Sequence, residues 1–231
     1  MVFLYCAEIP SLSPSMIGRL SAKLNHHEQR RAAGFAFEKD RAIFVVAHAL
    51  LRHALAPMLD GDTICFRANA YGKPELDLDH EHGIHFNLSH TRGMAVCAIC
   101  RGHPVGVDVE AIDRSVDVEW LAERHFAPQE YQLILEAPLQ QRVEIFFRLW
   151  TLKEAMLKAV GTGLATPLQE FAFTLEPETS KMQLARAKTA SEWQVHEYVP
   201  TADHRLALAV HRPSADTLRV VSRHISPEEL G

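Results

Sequence analysis

The chain has 231 residues, 47% hydrophobic and 23% charged, with 12 Pro, 11 Gly and a formal net charge of −5. This is the composition of an ordinary globular protein, long enough for one large domain or two small ones, and its charge gives no basic footprint for nucleic acid. No stretch approaches the ~20 apolar residues of a membrane span, and MVFLYCAEIP lacks the basic start and the length of a signal peptide, so a cytoplasmic protein is expected.

In chain order, VFLYCAEI reads as a first strand and Ser15 to Ala32 as a polar helix or helix pair. EKDRAIFVVAHALLRHALAPML is a long amphipathic helix on which Arg41, His48 and Arg52 fall within roughly 40° of one another. TICFRAN reads as a strand, and YGKPEL as a turn punctuated by Gly72 and Pro74. HFNLS and GMAVCAIC are further strands. After the turn Arg101-Gly102-His103, PVGVDVE is another. Beyond Asp113 the pattern is helical through Val160, and strands resume in EFAFTL, KMQLARA, SEWQVHEYV, RLALAVHR and LRVVS. RLALAVHRP echoes GMAVCAICRG as an apolar strand closed by a basic residue, which points to two similar halves. An α+β chain with mainly antiparallel pairing fits better than a regular βαβ alternation.

The cysteines are Cys6, Cys65, Cys97 and Cys100. Cys97 and Cys100 form a C-x-x-C inside a strand, where an offset of three puts them on opposite faces. With no second pair to complete a zinc site, they read as small core residues. His80, His82 and His85 occupy a polar segment without a matching ligand set and read as a solvated loop.

The chemistry concentrates in two stretches. In FFRLWTLKEAMLKAVGTGL, the residues Phe146, Phe147, Trp150, Leu157 and Lys158 lie within roughly 80° of Glu154. A carboxylate in such a stripe costs several kcal/mol unless a cation, metal or donor meets it. The plainest partner is Lys158 at i,i+4. In VGVDVE, three valines point one way, while Gly106, Asp108 and Glu110 point the other. Two carboxylates at i,i+2 on a strand stand about 6–7 Å apart and can converge on a hard cation such as Mg²⁺. The alternative is a half-buried strand with its polar face in water. Gly106 is expected to leave that face open to a ligand. Glu154 adds a third acid, and Mg²⁺ implies a phosphate-bearing substrate. Lys73, His90 and Lys158 are candidate phosphate cations, and Gly161 and Gly163 let the backbone approach closely.

GKP, FNLSH, GVDVE and WTLKEAMLKAVGTGL, in that order, resemble the motif series of the 4'-phosphopantetheinyl transferases of the Sfp type. The motifs span about Arg30 to Leu164. The resemblance implies transfer of the phosphopantetheine arm of coenzyme A to a serine of an acyl or peptidyl carrier protein, with release of 3',5'-ADP. It implies two similar α/β halves in one chain, 1–103 and 104–231, related by a pseudo-twofold, with the active site between them; the single-chain form points to a monomer. By the same match Asp108, Glu110 and Glu154 hold Mg²⁺, with Lys158 on the same phosphates. Lys73, Ser89 and His90 line the nucleotide and 3'-phosphate end, helped by Arg31 and Arg41. Many relatives carry another arginine shortly after the position of Arg41, where this chain has Ile43 and Phe44. Some place a polar residue where Val109 stands. Either Glu154 or a metal-bound water would take the serine proton. Trp120, Leu121 and Phe126 are the candidate apolar contact for the carrier. Two rivals are a Mg²⁺-dependent phosphohydrolase with water as nucleophile, and a non-catalytic coenzyme A-binding protein, which would not need three acids.

Overall fold

The computed structural model describes residues 1–59, 64–77, 83–175, 180–184, 192–212 and 218–231. The first strand, β1 (Val2–Glu8), is apolar on both faces because both are covered: Tyr5 and Ala7 meet helices, while Val2 and Leu4 meet a second sheet. The helices α1 (Pro14–Ala22), α2 (His26–Ala33) and α3 (Glu38–Leu55) follow. Ser13 caps α1 by accepting from Met16 N, and Asn25 with Glu28 forms the capping box of α2. Next come the short hairpin β2 (Phe66–Ala68) and β3 (Pro74–Leu76), then β4 (Ile84–Thr91) and β5 (Met94–Arg101). Part of the expected YGKPEL turn is thus a short strand.

The second half contains β6 (Val105–Ala111), α4 (Val118–His125), α5 (Pro128–Glu136), α6 (Leu139–Val160), β7 (Phe171–Leu175), β8 (Ser180–Leu184), β9 (Trp193–Tyr198) and β10 (His204–His211). The chain then runs through β11 (Val220–His224) and α7 (Pro227–Leu230).

Two sheets dominate, ordered β11-β1-β5-β4 and β6-β10-β9. Pairing is antiparallel except between β1 and β11, where Val2 lies beside Val220. Helices α1 and α3 cover the outer face of the first sheet through Leu20, Phe44 and Leu50. Helix α6 covers the second through Phe146, Leu152 and Met156. The inner faces meet through Leu4, Val96, Val107 and Leu208. Each half is therefore a helix-on-sheet unit, and the sheets stand back to back. The pseudo-symmetric α+β expectation agrees with this arrangement, with one departure. Strand β11 and helix α7 return to the first sheet and to α3, so segment 104–231 is not a single structural unit.

Cys97 belongs to the helix-facing core and Cys100 to the inter-sheet core, both buried and free, on opposite strand faces. His85 is partly buried on β4. His80, His82, Thr63, residues 185–187 and Ser191 lie outside the described residues. Among the described residues no helix is long and apolar enough to cross a membrane.

Candidate active site

Helix α6 lies so close to β6 that a Cβ at Gly106 would sit 2.1 Å from Ala155 O and 2.3 Å from Ala159 N. The face expected to be open to a ligand is therefore filled by helix backbone. Glycine here serves helix–strand approach. That approach carries Glu154 and Lys158, one turn apart on α6, toward Asp108 and Glu110. The helix ends at Gly161, which takes a left-handed conformation (φ 79°) while its N–H donates to Leu157 O.

Lys158 Nζ lies 2.6 Å from Asp108 Oδ1 and 2.9 Å from Ser89 Oγ, and Ser89 Oγ donates to the same carboxylate oxygen at 2.9 Å. Thr91 Oγ1 donates to Glu110 Oε2 at 3.3 Å. Asp108 is only 3% exposed, and its second oxygen, Oδ2, is buried without a hydrogen-bond partner. Burial, then the neighbouring Asp108 charge, pushes the Glu110 carboxyl up to about 7. Glu154 is raised by the same two causes, with Lys158 opposing.

Among the described residues no three acids, histidines or cysteines are assembled ready to grip a metal, and Lys158 stands against Asp108. Even so, a bare buried carboxylate oxygen beside two acids whose charged forms are disfavoured is a site short of positive charge. The donor set, all carboxylate oxygen, fits a hard divalent cation.

A cavity of about 320 Å³ opens beside this cluster, lined by Lys73, Leu88, Glu154, Leu157, Lys158 and Gly161. Lys73 Nζ is directed at the carbonyls of Val105 and Ala159, each 3.3 Å away. Burial lowers its pKa to about 8 against the opposing charge of Glu75. Asn69 Nδ2 reaches Gly161 O at 3.2 Å, so the β2–β3 hairpin is tied to the end of α6 at two points. Ser89 is buried, and its hydroxyl donates to Asp108.

His90, one residue on, opens to solvent. Surrounding protein disfavours its charged form, and His48, Lys158 and Arg31 add repulsion, so its pKa is lowered. Arg31 thus stands near His90, its guanidinium 5.2 Å from the Phe44 ring centre. Arg41 pairs with Glu38 at 3.3 Å, and its Nε is buried without a partner. His48 and Arg52, which share a face with Arg41 by spacing, both turn to Glu28 on α2.

The sequence reading missed two features. The most buried ion on α6 is Lys153, whose Nζ lies 2.6 Å from Glu130 and donates to Leu168 O and Phe171 O. The available signal was a lysine flanked at i−4 and i+3 by Leu149 and Met156, on an apolar stripe. Thr91 is the other, and it follows the FNLSH stretch directly. The stripe offered for carrier contact divides: Phe126 is 2% exposed and stacks on Phe146, Leu121 packs partly against the core, and Trp120 is 54% exposed.

Two helix-on-sheet units meeting at an acidic, lysine-bearing cleft define a class that sequence comparison identifies. Residues 104–209 match the 4'-phosphopantetheinyl transferase superfamily, and residues 13–101 match the N-terminal region of 4'-phosphopantetheinyl transferases. The chain belongs to this enzyme family. It is 38% identical over 200 residues to the 4'-phosphopantetheinyl transferase HetI of Nostoc sp. strain PCC 7120, covering 85% of this chain and 82% of that one. Over 170 residues it is 30% identical to a 4'-phosphopantetheinyl transferase of Bacillus subtilis (72% and 73% covered). Over 198 residues it is 25% identical to Sfp of Bacillus subtilis strain 168 (84% and 85% covered).

Proposed function

We propose that this enzyme moves the 4'-phosphopantetheine arm of coenzyme A onto a serine hydroxyl of an apo acyl or peptidyl carrier protein, releasing 3',5'-ADP. The observation that carries the reading is Asp108: buried, held by Lys158 and Ser89 on one oxygen, and bare on the other. Asp108, Glu110 and Glu154 would hold Mg²⁺, which when bound supplies positive charge to the pyrophosphate oxygens. Lys158 donates to a phosphate oxygen as the bond to the departing ADP lengthens and charge grows there. Glu154, the acid on the cavity wall, takes the proton of the attacking serine. Arg31 and His90 are the cations best placed for the 3'-phosphate, because Lys73 already serves two backbone carbonyls. Segments 1–103 and 104–231 both line the cavity, through Lys73 and Leu88 and through Glu154 and Lys158, which supports a monomer as the working form; the enzyme acts in the cytoplasm.

The test is incubation with fluorescently tagged coenzyme A, Mg²⁺ and a panel of apo carrier proteins, read on a gel. Label should appear on carrier serine and disappear in excess chelator. Cleavage of coenzyme A at the same rate without a carrier would make the enzyme a phosphohydrolase instead.

A further inference from the structure

We infer that Thr91 is a positioning residue for the transfer reaction: it aims Glu110, as one rung of a side-chain ladder that joins the two halves. The inference rests on the three-carboxylate cation site proposed above.

Strands β4 and β6 are edge strands of different sheets, yet they run side by side. Every second side chain of β4 makes the join. Asn87 Oδ1 accepts from Val107 N at 2.9 Å, Ser89 Oγ from Val109 N at 3.3 Å, and Thr91 Oγ1 from Ala111 N at 3.3 Å. The sequence offset is 20 at each rung, so the strand repeat of two is kept on both sides. Amides on an edge that would otherwise lack partners are satisfied by side chains from the other half.

The residue types follow what each rung must do. Immediately before the three donor amides stand Gly106, Asp108 and Glu110. Where that residue is glycine, nothing is there to receive a proton, and the rung is an amide used as an acceptor. Where it is an acid, the rung is a hydroxyl, which can accept an N–H and still donate its own proton. Ser89 gives that proton to Asp108 at 2.9 Å, and Thr91 gives it to Glu110 at 3.3 Å. The bonds that hold the halves in register therefore also orient the two strand carboxylates. A hydrogen-bonded carboxylate presents its free lone pairs in a fixed direction, which a cation with strict geometry requires.

The experiment titrates Mn²⁺, standing in for Mg²⁺, into the protein and reads the free ion by its EPR signal, beside thermal melts and the Mg²⁺ dependence of transfer. Thr91→Val keeps the shape and removes the hydroxyl; it should weaken Mn²⁺ about tenfold, the usual scale for losing a group that orients a metal ligand. Thr91→Ser should restore most of the affinity, and Thr91→Ala should repeat the valine result if that variant folds poorly. Asn87→Ala breaks the rung that faces no acid, so it should lower the melting temperature without moving Mn²⁺ affinity. Two results overturn the inference: Thr91→Val binding Mn²⁺ as tightly as wild type, or Asn87→Ala weakening it equally, which would mean only a loosened seam. Glu110→Gln tells the two levels apart. If it binds Mn²⁺ like wild type, the carboxylate site itself is wrong, and the role of Thr91 falls with it.

Discussion

Helices α3 and α6 each cover one sheet, and each carries ionic groups into apolar surroundings, but they treat those charges differently. In the first half, His48 Nδ1 and Arg52 Nε lie 2.9 and 2.8 Å from Glu28, which also accepts from Asn25 N. On the far side of α6, Lys153 is enclosed with Glu130, whose oxygens also accept from Ala127 N and Phe173 N. Both clusters are complete at the carboxylate, where each oxygen has a donor, although Arg52 Nη2 is buried without a hydrogen bond of its own. On the face of α6 toward β6, Asp108 Oδ2 is left bare and two further acids crowd it. Burial of charge marks all three places. Of the three, only the place with a ligand still to meet has a buried carboxylate oxygen without a donor.

Breaking a complete cluster should cost folding most. Lys153→Met leaves the Glu130 charge buried, so urea unfolding should show a loss of about 3–5 kcal/mol, and adding Glu130→Gln, which removes the charge but keeps an acceptor for a neighbouring amide, should recover part of it. A single-variant loss below about 1 kcal/mol, the scale of an exposed pair, would remove Lys153 from the fold's framework.

Breaking the incomplete cluster should cost chemistry instead. Asp108→Ala should slow transfer on the order of 10²-fold or more, while the metal-free melting temperature holds or rises. Initial rates and melts on the same preparations decide this. A collapsed melting temperature with the rate retained would reverse the assignment.

The complete cluster in the first half has its own pH signature. Burial alone would raise the Glu28 carboxyl, but hydrogen bonds from His48, Arg52 and the Asn25 amide outweigh it and hold it at about 2. A depressed carboxylate contributes stability above its unfolded pKa of about 4.5 and loses it as pH falls toward 2. The stability gap between wild type and Glu28→Gln, on the order of 2–3 kcal/mol near neutrality, should therefore shrink between about pH 4.5 and 2. A gap unchanged across that window would mean that Glu28 acts through shape alone.

The smallest effect concerns Trp120, exposed outside every cluster. Trp120→Ala should raise the carrier KM by about tenfold or less, the cost of an ordinary interface side chain, and leave the coenzyme A KM unchanged. A matched rise in both constants would place Trp120 away from the carrier.

Much of the site was legible because its spacings are local. Asp108 and Glu110 share a strand face, Glu154 and Lys158 share a helix face, and the motif series placed both together. The two cysteines were legible for the same reason, since strand alternation alone puts them in different cores. What could not be read depends on register between distant segments. The 20-residue offset that sets Thr91 against Ala111 exists only once the edge strands β4 and β6 lie side by side. Lys73 reads as a phosphate cation from its turn, but only the assembled halves bring Val105 O and Ala159 O within its reach. Gly106 invited the wrong partner, because a missing side chain admits a helix backbone as readily as a ligand.

The pairing of Val2 with Val220 bears on the order in which the molecule can be made. Strand β1 leaves the ribosome long before β11 exists, and until then β1 has β5 on one side and nothing on the other. An apolar strand with one free edge is a template for pairing with a neighbouring nascent chain. Leu230 of α7 joins the same core as Met16 and Ile17, so the helical cover of the first sheet also waits for late residues. Joining segments so distant is slow, which prolongs the interval in which that edge stays exposed to other chains.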